Sequence, residues 1–169
     1  FNQDIIMLNP IPAFYSRFLK VTLLLVFTAG SVSAADTLAQ KKADGWITLF
    51  DGKNTQGWVN SAGQAIGAGW VIEDGALAGD IWTKQRFGDF VLALEFQTKG
   101  NSGVSIRTDN PKNNVQTGIE IQVDKPRQPG RHSVGAAYDL VAPTENAAKS
   151  GWNEMVITAK DNLLQVKMN

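Results

Sequence analysis

Polar and apolar residues alternate along the segment from Glu95 to Asp124, which is the clearest pattern in the chain. In the run GIEIQVD at 118–124, the three aliphatic residues fall on one side of an extended strand. The other side carries Glu120, Gln122 and Asp124. Strands with one buried and one wet face alternate in this way. The run therefore predicts a strand whose second face presents two carboxylates and an amide.

The preceding run VSIR at 104–107 alternates in the same sense, with Ser105 and Arg107 on its polar side. If these strands are neighbours in an antiparallel sheet, their polar residues share one face. No Lys belongs to that set, and GNSG at 100–103 directly precedes the run VSIR. We interpret the face as functional, although a merely solvated face gives the same alternation. The expected members are Glu95, Gln97, Ser105, Arg107, Glu120, Gln122 and Asp124.

Turn signals punctuate the rest of the chain at short intervals, and no window shows the 3.6-residue apolar period of a helix. Asp51-Gly52, Asp74-Gly75 and Gly88-Asp89 separate extended runs. The run FVLALEF at 90–96 places four large apolar residues on one face, as expected of a core strand. This pattern predicts an all-β fold, either a sandwich of two antiparallel sheets or a jelly roll.

The segment from 125 to 146 breaks the alternation and contains three prolines. It predicts a long loop, with a short strand near 136–140, of the kind that lines a site at the rim of a sheet. Two alternating runs, 153–160 and 163–168, follow it as the final strands. A last strand without a return leaves a sheet edge open, so we expect further strands beyond Asn169.

The N-terminal region has the three parts of a secretory signal peptide. Basic residues precede an apolar run at 21–29, and Val-Ser-Ala at 32–34 fits a cleavage site. The apolar run is about half of the ~20 residues that span a bilayer, which favours cleavage over anchoring. We expect a leader at 1–34, a linker at 35–44, a sandwich domain at 45–169, and a periplasmic or extracellular location.

Charge and composition exclude several classes of function. The chain has 16 basic and 16 acidic residues, and loss of the leader leaves fourteen and fifteen. Without a basic excess, neither nucleic acid nor a membrane surface is an expected partner. The absence of Cys excludes disulfides and a lipid-anchored Cys, and a single His excludes a multi-histidine zinc site. No cofactor is predicted, and no spacing supports calcium at the sandwich rim.

The order of several motifs resembles the 3-keto-disaccharide hydrolase domain family from about residue 45 to the last residue. The resemblance implies a concanavalin-like jelly roll in a secreted or periplasmic enzyme that acts on sugars oxidised at C3. It also implies that the family domain continues past Asn169. The motifs are LFDGK at 49–53 with GW at 57–58, IWTK at 81–84, GDFVLALEF at 88–96, GNSG at 100–103, GIEIQ at 118–122 and GAAYDL at 135–140.

A ketone at C3 of a pyranose acidifies the C2 hydrogen, so that a base can remove it and the C1 substituent can leave. Such a site needs a base, donors for the developing enolate oxygen, and an acid for the leaving group. We assign Glu120 as base or acid, Arg107 and Asn101 as donors to the enolate, and Gln122 to a sugar hydroxyl. Asp124 orients a partner or helps the leaving group.

Four further residues complete the predicted site. His132 and Tyr138, on the long loop, are candidates for proton transfer. Ser105 shares the polar face and is expected to contact substrate. Trp82, beside Asp80 in a turn, is the best candidate among five tryptophans for stacking on a sugar ring, although tryptophans pack in cores more often.

Each assignment has a plainer alternative. Residues 101–103 are also default turn residues. Arg107 also fits an ion pair across the strands with Glu120 or Asp124. The lone His132 also fits an exposed side chain without a role.

Other functions fit the same residues. The run 120–124 is similar to the Glu-x-Asp-x-Glu strand of retaining β-glucanases, but Gln122 and Asp124 depart from it. Positions four apart on a strand are ~13 Å apart at the backbone, whereas retaining carboxyl groups lie about 5 to 5.5 Å apart. A non-catalytic, lectin-like carbohydrate-binding module and a purely structural sandwich also remain open.

Overall fold

The computed structural model describes residues 5–9, 22–25, 46–67 and 72–169. These residues form twelve short β-strands and a single helical turn, α1, which follows a 3-10 turn at Pro111–Asn113. The strands are β1 (Ile5–Asn9), β2 (Thr22–Leu25), β3 (Ile47–Thr48), β4 (Trp58–Val59), β5 (Ile72–Glu73), β6 (Ala76–Leu77), β7 (Ile81–Thr83), β8 (Phe90–Phe96), β9 (Ser102–Thr108), β10 (Ile119–Val123), β11 (Asn153–Lys160) and β12 (Leu163–Met168), and α1 is Asn114–Thr117.

Two five-stranded antiparallel sheets make up the fold. The first has the order β10-β9-β1-β7-β4, and the second has the order β12-β11-β8-β2-β3. A separate hairpin pairs β5 with β6. The expectation of an all-β sandwich is confirmed.

The core lies between the inner faces of the two sheets. From the second sheet, β8 and β11 contribute alternate residues such as Leu92 and Ile157, which are fully buried. From the first sheet, β9 and β10 contribute Ile106 and Ile121, also fully buried. Burial of one such side chain stabilises the fold by roughly 1.5–3 kcal/mol. The period-two pattern therefore predicted the inner faces of these strands correctly.

The sheet assignment of β8 differs from the expectation. Glu95 pairs in register with Glu154 of β11, so it belongs to the second sheet and not to the sheet of Glu120. Alternation fixes which face of a strand is buried, but two core strands can meet either side by side or across the core. Here β8 and β9 meet across the core. Glu95 and Gln97 are therefore absent from the polar face next to Glu120.

The segment after β10 extends the first sheet. Ala137 bridges to Ile121 on one side and to Val141 on the other. The Tyr138 N–H donates to the Glu120 carbonyl over 2.8 Å. Isolated bridges thus take the place of the short strand predicted near 136–140, and they hold the long loop against β10.

Strand β12 forms one edge of the second sheet. Leu164, Val166 and Met168 pack against the core and remain half-buried. A trough of about 610 Å³ runs between this strand and the loop segment 134–147. Glu120, Arg107 and His132 are not among its lining residues.

The two N-terminal strands occupy interior positions, with β1 between β9 and β7 and β2 between β8 and β3. Both lie within the predicted leader 1–34, whose cleavage stays a prediction, and the predicted linker 35–44 lies outside the described residues. In the described ranges, no helix combines the length and the apolar character that crossing a bilayer requires.

Candidate active site

The candidate site is built on the outer face of the β9–β10 pair. Glu120 lies opposite Ser105, and Gln122 lies opposite Gly103. Residues directly opposite in an antiparallel pair share a face. Since the alternate residue Ile121 is buried in the core, Glu120, Ser105 and Gln122 all project away from it. The structure therefore contains a polar face at this place, with fewer residues than expected.

Glu120 is half-buried, and its side chain lies across Gly103 of the neighbouring strand. The backbone of Glu120 is held on both sides. Its register partner on β9 is Ser105, and its carbonyl accepts the Tyr138 N–H. The carboxylate therefore extends from a rigid position in the sheet and not from a loop.

Ser105 is 1% exposed, and its Oγ accepts a hydrogen bond of 3.0 Å from Asn114 Nδ2. Asn114 opens α1 in the connection between β9 and β10, so this connection folds back over the polar face. The start of the connection is fixed by Asn110, whose Oδ1 accepts from the Lys112 N–H. Sequence reasoning missed Asn114, because strand periodicity gives no information about how a connection packs.

Gln122 is 1% exposed, and its Nε2 donates to Asn101 Oδ1. Its Oε1 has no hydrogen-bond partner among the residues that the structure describes. Leaving a buried acceptor unpaired costs about 1–3 kcal/mol. Gln122 Oε1 is therefore a fixed, buried acceptor whose hydrogen-bonding capacity is not used within the described part of the chain.

Asp124 ends the same polar row but is already engaged. It is 6% exposed, it accepts the Lys125 N–H over 2.7 Å, and it forms an ion pair with Arg127. These contacts anchor the start of the long loop. Arg127 was missed in the sequence, although its three-residue spacing from a carboxylate at a strand end is a usable signal.

Arg107 departs from the strand geometry, because its φ of 52° lies in the left-handed region. The register of β1 against β9 shifts near this point. Its guanidinium lies 3.9 Å from Asp89, in the turn before β8. Asp89 also accepts the Asp161 N–H over 2.9 Å, so Arg107 reaches towards the turns at one end of the sandwich.

Tyr138 is half-buried and lies opposite Glu120 in the extension of the sheet. Its ring stacks on His132 with a centroid distance of 4.7 Å. His132 Nε2 lies 3.2 Å from Asp139 Oδ1, and more than half of the His132 side chain is exposed. The loop therefore places Tyr138 next to Glu120 and stacks His132 on Tyr138, with Asp139 as an unforeseen partner of His132.

The tryptophans fit packing roles better than sugar stacking. Trp46, Trp58 and Trp82 are buried, whereas Trp152 is 44% exposed and Trp70 lies outside the described residues. Trp82, the predicted stacking residue, is fully buried and presents no open ring face in this structure.

Asp80 and Trp82 lie close together at the start of β7. The residue Asp80 is exposed as a whole, but partial desolvation of its carboxyl raises the pKa, and the nearby Trp82 indole N–H opposes that rise. The two groups do not reach hydrogen-bond geometry. Within the described part of the chain, no group of three or more His, Asp or Glu residues has the arrangement of a metal site.

The arrangement is thus one half-buried carboxylate, a buried hydroxyl and a buried, unpaired amide acceptor on one face, with Tyr138 beside it and His132 stacked on Tyr138. No curated protein and no solved structure matches the chain significantly. Residues 45–169 match the family profile described as the 3-keto-alpha-glucoside-1,2-lyase-like domain. The chain therefore belongs to this family, a carbohydrate-active group that includes the 3-keto-disaccharide hydrolase domains, and the resemblance carried by the sequence motifs is confirmed.

Proposed function

We propose that the domain cleaves 3-keto-glycosides or 3-keto-disaccharides by removing the C2 proton and expelling the C1 substituent. Membership of the family supports a carbohydrate-active lyase or hydrolase, and the name of the family refers to a 3-keto-alpha-glucoside. The observation that carries the finer assignment is the single carboxylate of Glu120, which projects from a rigid strand beside neutral polar groups. Deprotonation next to a ketone needs one positioned base and not two paired acids.

The reaction divides into two steps. Glu120 takes the proton from C2, and the electron pair of the C–H bond moves to form an enolate with negative charge on the C3 oxygen. The enolate then re-forms the ketone, a C1–C2 double bond forms, and the C1–oxygen bond breaks. The leaving oxygen takes a proton and departs as an alcohol. Addition of water across the new double bond would convert this elimination into net hydrolysis.

The surrounding residues take supporting roles. Asn101 and Arg107 donate to the enolate oxygen, and the unpaired Oε1 of Gln122, which is buried without a ligand, accepts a sugar hydroxyl. Ser105, held by Asn114, contacts the substrate from the floor of the site. Tyr138, whose backbone N–H bonds Glu120, and His132, which stacks on the Tyr138 ring, supply the proton for the leaving group. Asp124 holds the loop through Arg127.

The structure gives less support to a retaining glucanase. Its second carboxylate would be Asp124, which is buried and already paired with Arg127. The two positions are ~13 Å apart along an extended strand, too far for a retaining pair. We further propose export to the periplasm or the cell exterior, on the basis of the leader sequence.

The decisive experiment is to incubate the protein with a 3-keto-glucoside and with its unoxidised parent glucoside. We expect release of the aglycone from the ketone only. Glu120→Gln should lower kcat by roughly 10²–10⁴-fold, the usual contribution of a general base, while the affinity for the sugar is kept. Equal rates on both glycosides would refute C2 deprotonation.

The same assay separates the enzyme from a binding module. A lectin-like domain would bind the sugars saturably and turn over neither glycoside. The wild type and Glu120→Gln would then behave alike. As a control, Glu154→Gln changes an exposed carboxylate on the second sheet and should leave both rates unchanged.

A further inference from the structure

Gly103 occupies an unusual position for a glycine. It lies inside β9 and pairs with Gln122 of β10, so it belongs to no turn. Its backbone is also ordinary, because it is not among the glycines with positive φ. A glycine inside a strand weakens the strand, and it often marks a place where another group must approach closely. Backbone conformation therefore does not explain this glycine.

The explanation lies on the outer face of the sheet. A Cβ atom at Gly103 would lie 2.6 Å from Glu120 Cγ and 2.7 Å from Glu120 Cδ, and it would collide with Glu120 Oε1. All three of these atoms belong to the Glu120 side chain. The missing side chain at 103 thus leaves the space in which this carboxylate lies.

We propose that Gly103 is a positioning residue, which allows the Glu120 carboxylate to lie flat across β9. With any other residue at 103, the Glu120 side chain has to rotate off the strand, away from its present place beside Ser105. This inference rests on the proposed role of Glu120 for its catalytic consequence. The positioning itself depends only on the geometry of the two strands.

The cost of the rotation falls on function and not on folding. Glu120 is half-buried and its contacting atoms belong to a flexible side chain, so Gly103→Ala leaves the folded domain nearly as stable. A displacement of about 1 Å in a catalytic group can reduce the rate by roughly 100-fold. We expect kcat on the 3-keto-glucoside to fall by about that factor in this variant, with little change in KM.

Gly118 provides a matched control in the same pair of strands. A Cβ there would lie 3.0 Å from the Ile106 carbonyl oxygen and 3.0 Å from Thr108 Cβ, and it would collide with Thr108 Oγ1. None of these atoms belongs to Glu120. Gly118→Ala should therefore lower the melting temperature more than Gly103→Ala does, and it should retain kcat.

A second measurement tests the positioning without any activity. The side-chain carboxyl carbon of Glu120 can be followed by ¹³C NMR during a pH titration and assigned by its loss in Glu120→Gln. We expect its shift and titration midpoint to change in Gly103→Ala and to stay as in the wild type in Gly118→Ala. The acid limb of the pH–rate profile should likewise move in Gly103→Ala and stay in place in Gly118→Ala.

The possible outcomes separate the two proposals. An unchanged Glu120 resonance in Gly103→Ala, or wild-type kcat in that variant, would overturn the positioning role. If the resonance moves while the wild type turns over no 3-keto-glycoside, the positioning role is supported and the proposed function fails.

Discussion

At the scale of single residues, Gln122 shows how a buried polar group can serve binding at the expense of stability. One end of its amide donates to Asn101, and the other end has no partner in the described part of the chain. A folded protein gains nothing from an unpaired buried acceptor. Under the proposed function, a sugar hydroxyl is the partner that would recover the lost hydrogen bond.

Gln122→Met tests this interpretation. Methionine has a similar volume and removes both the unpaired acceptor and the bond to Asn101, so we expect the free energy of unfolding to change by less than about 1 kcal/mol. KM for the 3-keto-glucoside should rise roughly tenfold, which corresponds to one lost hydrogen bond. Urea denaturation and steady-state kinetics measure the two effects. Gln165→Met, at an exposed position on β12, is the control and should change neither.

Residue by residue, the sequence predicted the direction of some side chains and failed for others. The alternation places Glu120 and Gln122 on the outer face because successive residues of a strand point to opposite sides. The extended geometry is interrupted at Arg107, which has a positive φ of 52° and a guanidinium 3.9 Å from Asp89. Periodicity cannot anticipate such a bulge.

At the scale of elements, turn chemistry was the most reliable signal. The turn at Asp51-Gly52 forms as predicted, with Gly52 at a φ of 82°. Asp51 Oδ1 accepts the backbone N–H groups of Lys53 and Asn54 over 2.9 and 3.0 Å. Asp and Gly favour turns through these two properties, a side-chain acceptor and access to positive φ.

This turn has a testable pH dependence. The hydrogen bonds from Lys53 and Asn54 lower the pKa of Asp51 below its ordinary value of 3.8. A carboxyl whose folded-state pKa is lowered contributes stability above its unfolded pKa, and that contribution is lost as the pH falls through the folded value.

We therefore expect the wild type to be more stable than Asp51→Ala at neutral pH, with the difference shrinking once the pH falls below about 4. Melting temperatures of both proteins between pH 7 and pH 2 measure it. Asp161→Ala is the comparison variant. Asp161 also lies in an exposed turn, and its own backbone N–H donates to Asp89. A difference that stays constant through the acid range would contradict the assignment.

Element pairing was harder to predict than element identity. The strands of the Glu95–Asp124 segment were recognised, but β8 and β9 lie in different sheets. The alternating pattern predicted nothing about the connection from 109 to 118, which returns over the outer face and binds Ser105 through Asn114. Both features depend on contacts between elements distant along the chain, which local patterns do not encode.

At the scale of the whole molecule, the interior positions of β1 and β2 raise a structural conflict with the predicted leader. Each of these strands separates two others, β9 from β7 and β8 from β3. The family match begins at residue 45 and includes neither of them. A segment that is removed during export cannot also hold the centre of a sheet in the mature protein.

If β1 and β2 are part of the sandwich, the full chain should be more stable than a fragment that begins at residue 35. Without β1 and β2, the fragment exposes four strand edges with unpaired backbone groups, and such edges promote association. We expect the fragment to unfold at a lower urea concentration than the full chain and to form oligomers in size-exclusion chromatography. Deletion of residues 1–4 alone, which precede β1, should have neither effect.

The result decides between two roles for the same residues. If fragment and full chain unfold at the same urea concentration, the two N-terminal strands add nothing to the sandwich, and cleavage after Ala34 becomes the simpler interpretation. If the fragment is destabilised, β1 and β2 belong to the folded sandwich, and cleavage after Ala34 would remove two strands from the interior of its sheets. Mass spectrometry of the exported protein then identifies its N-terminus and shows whether β1 and β2 are retained.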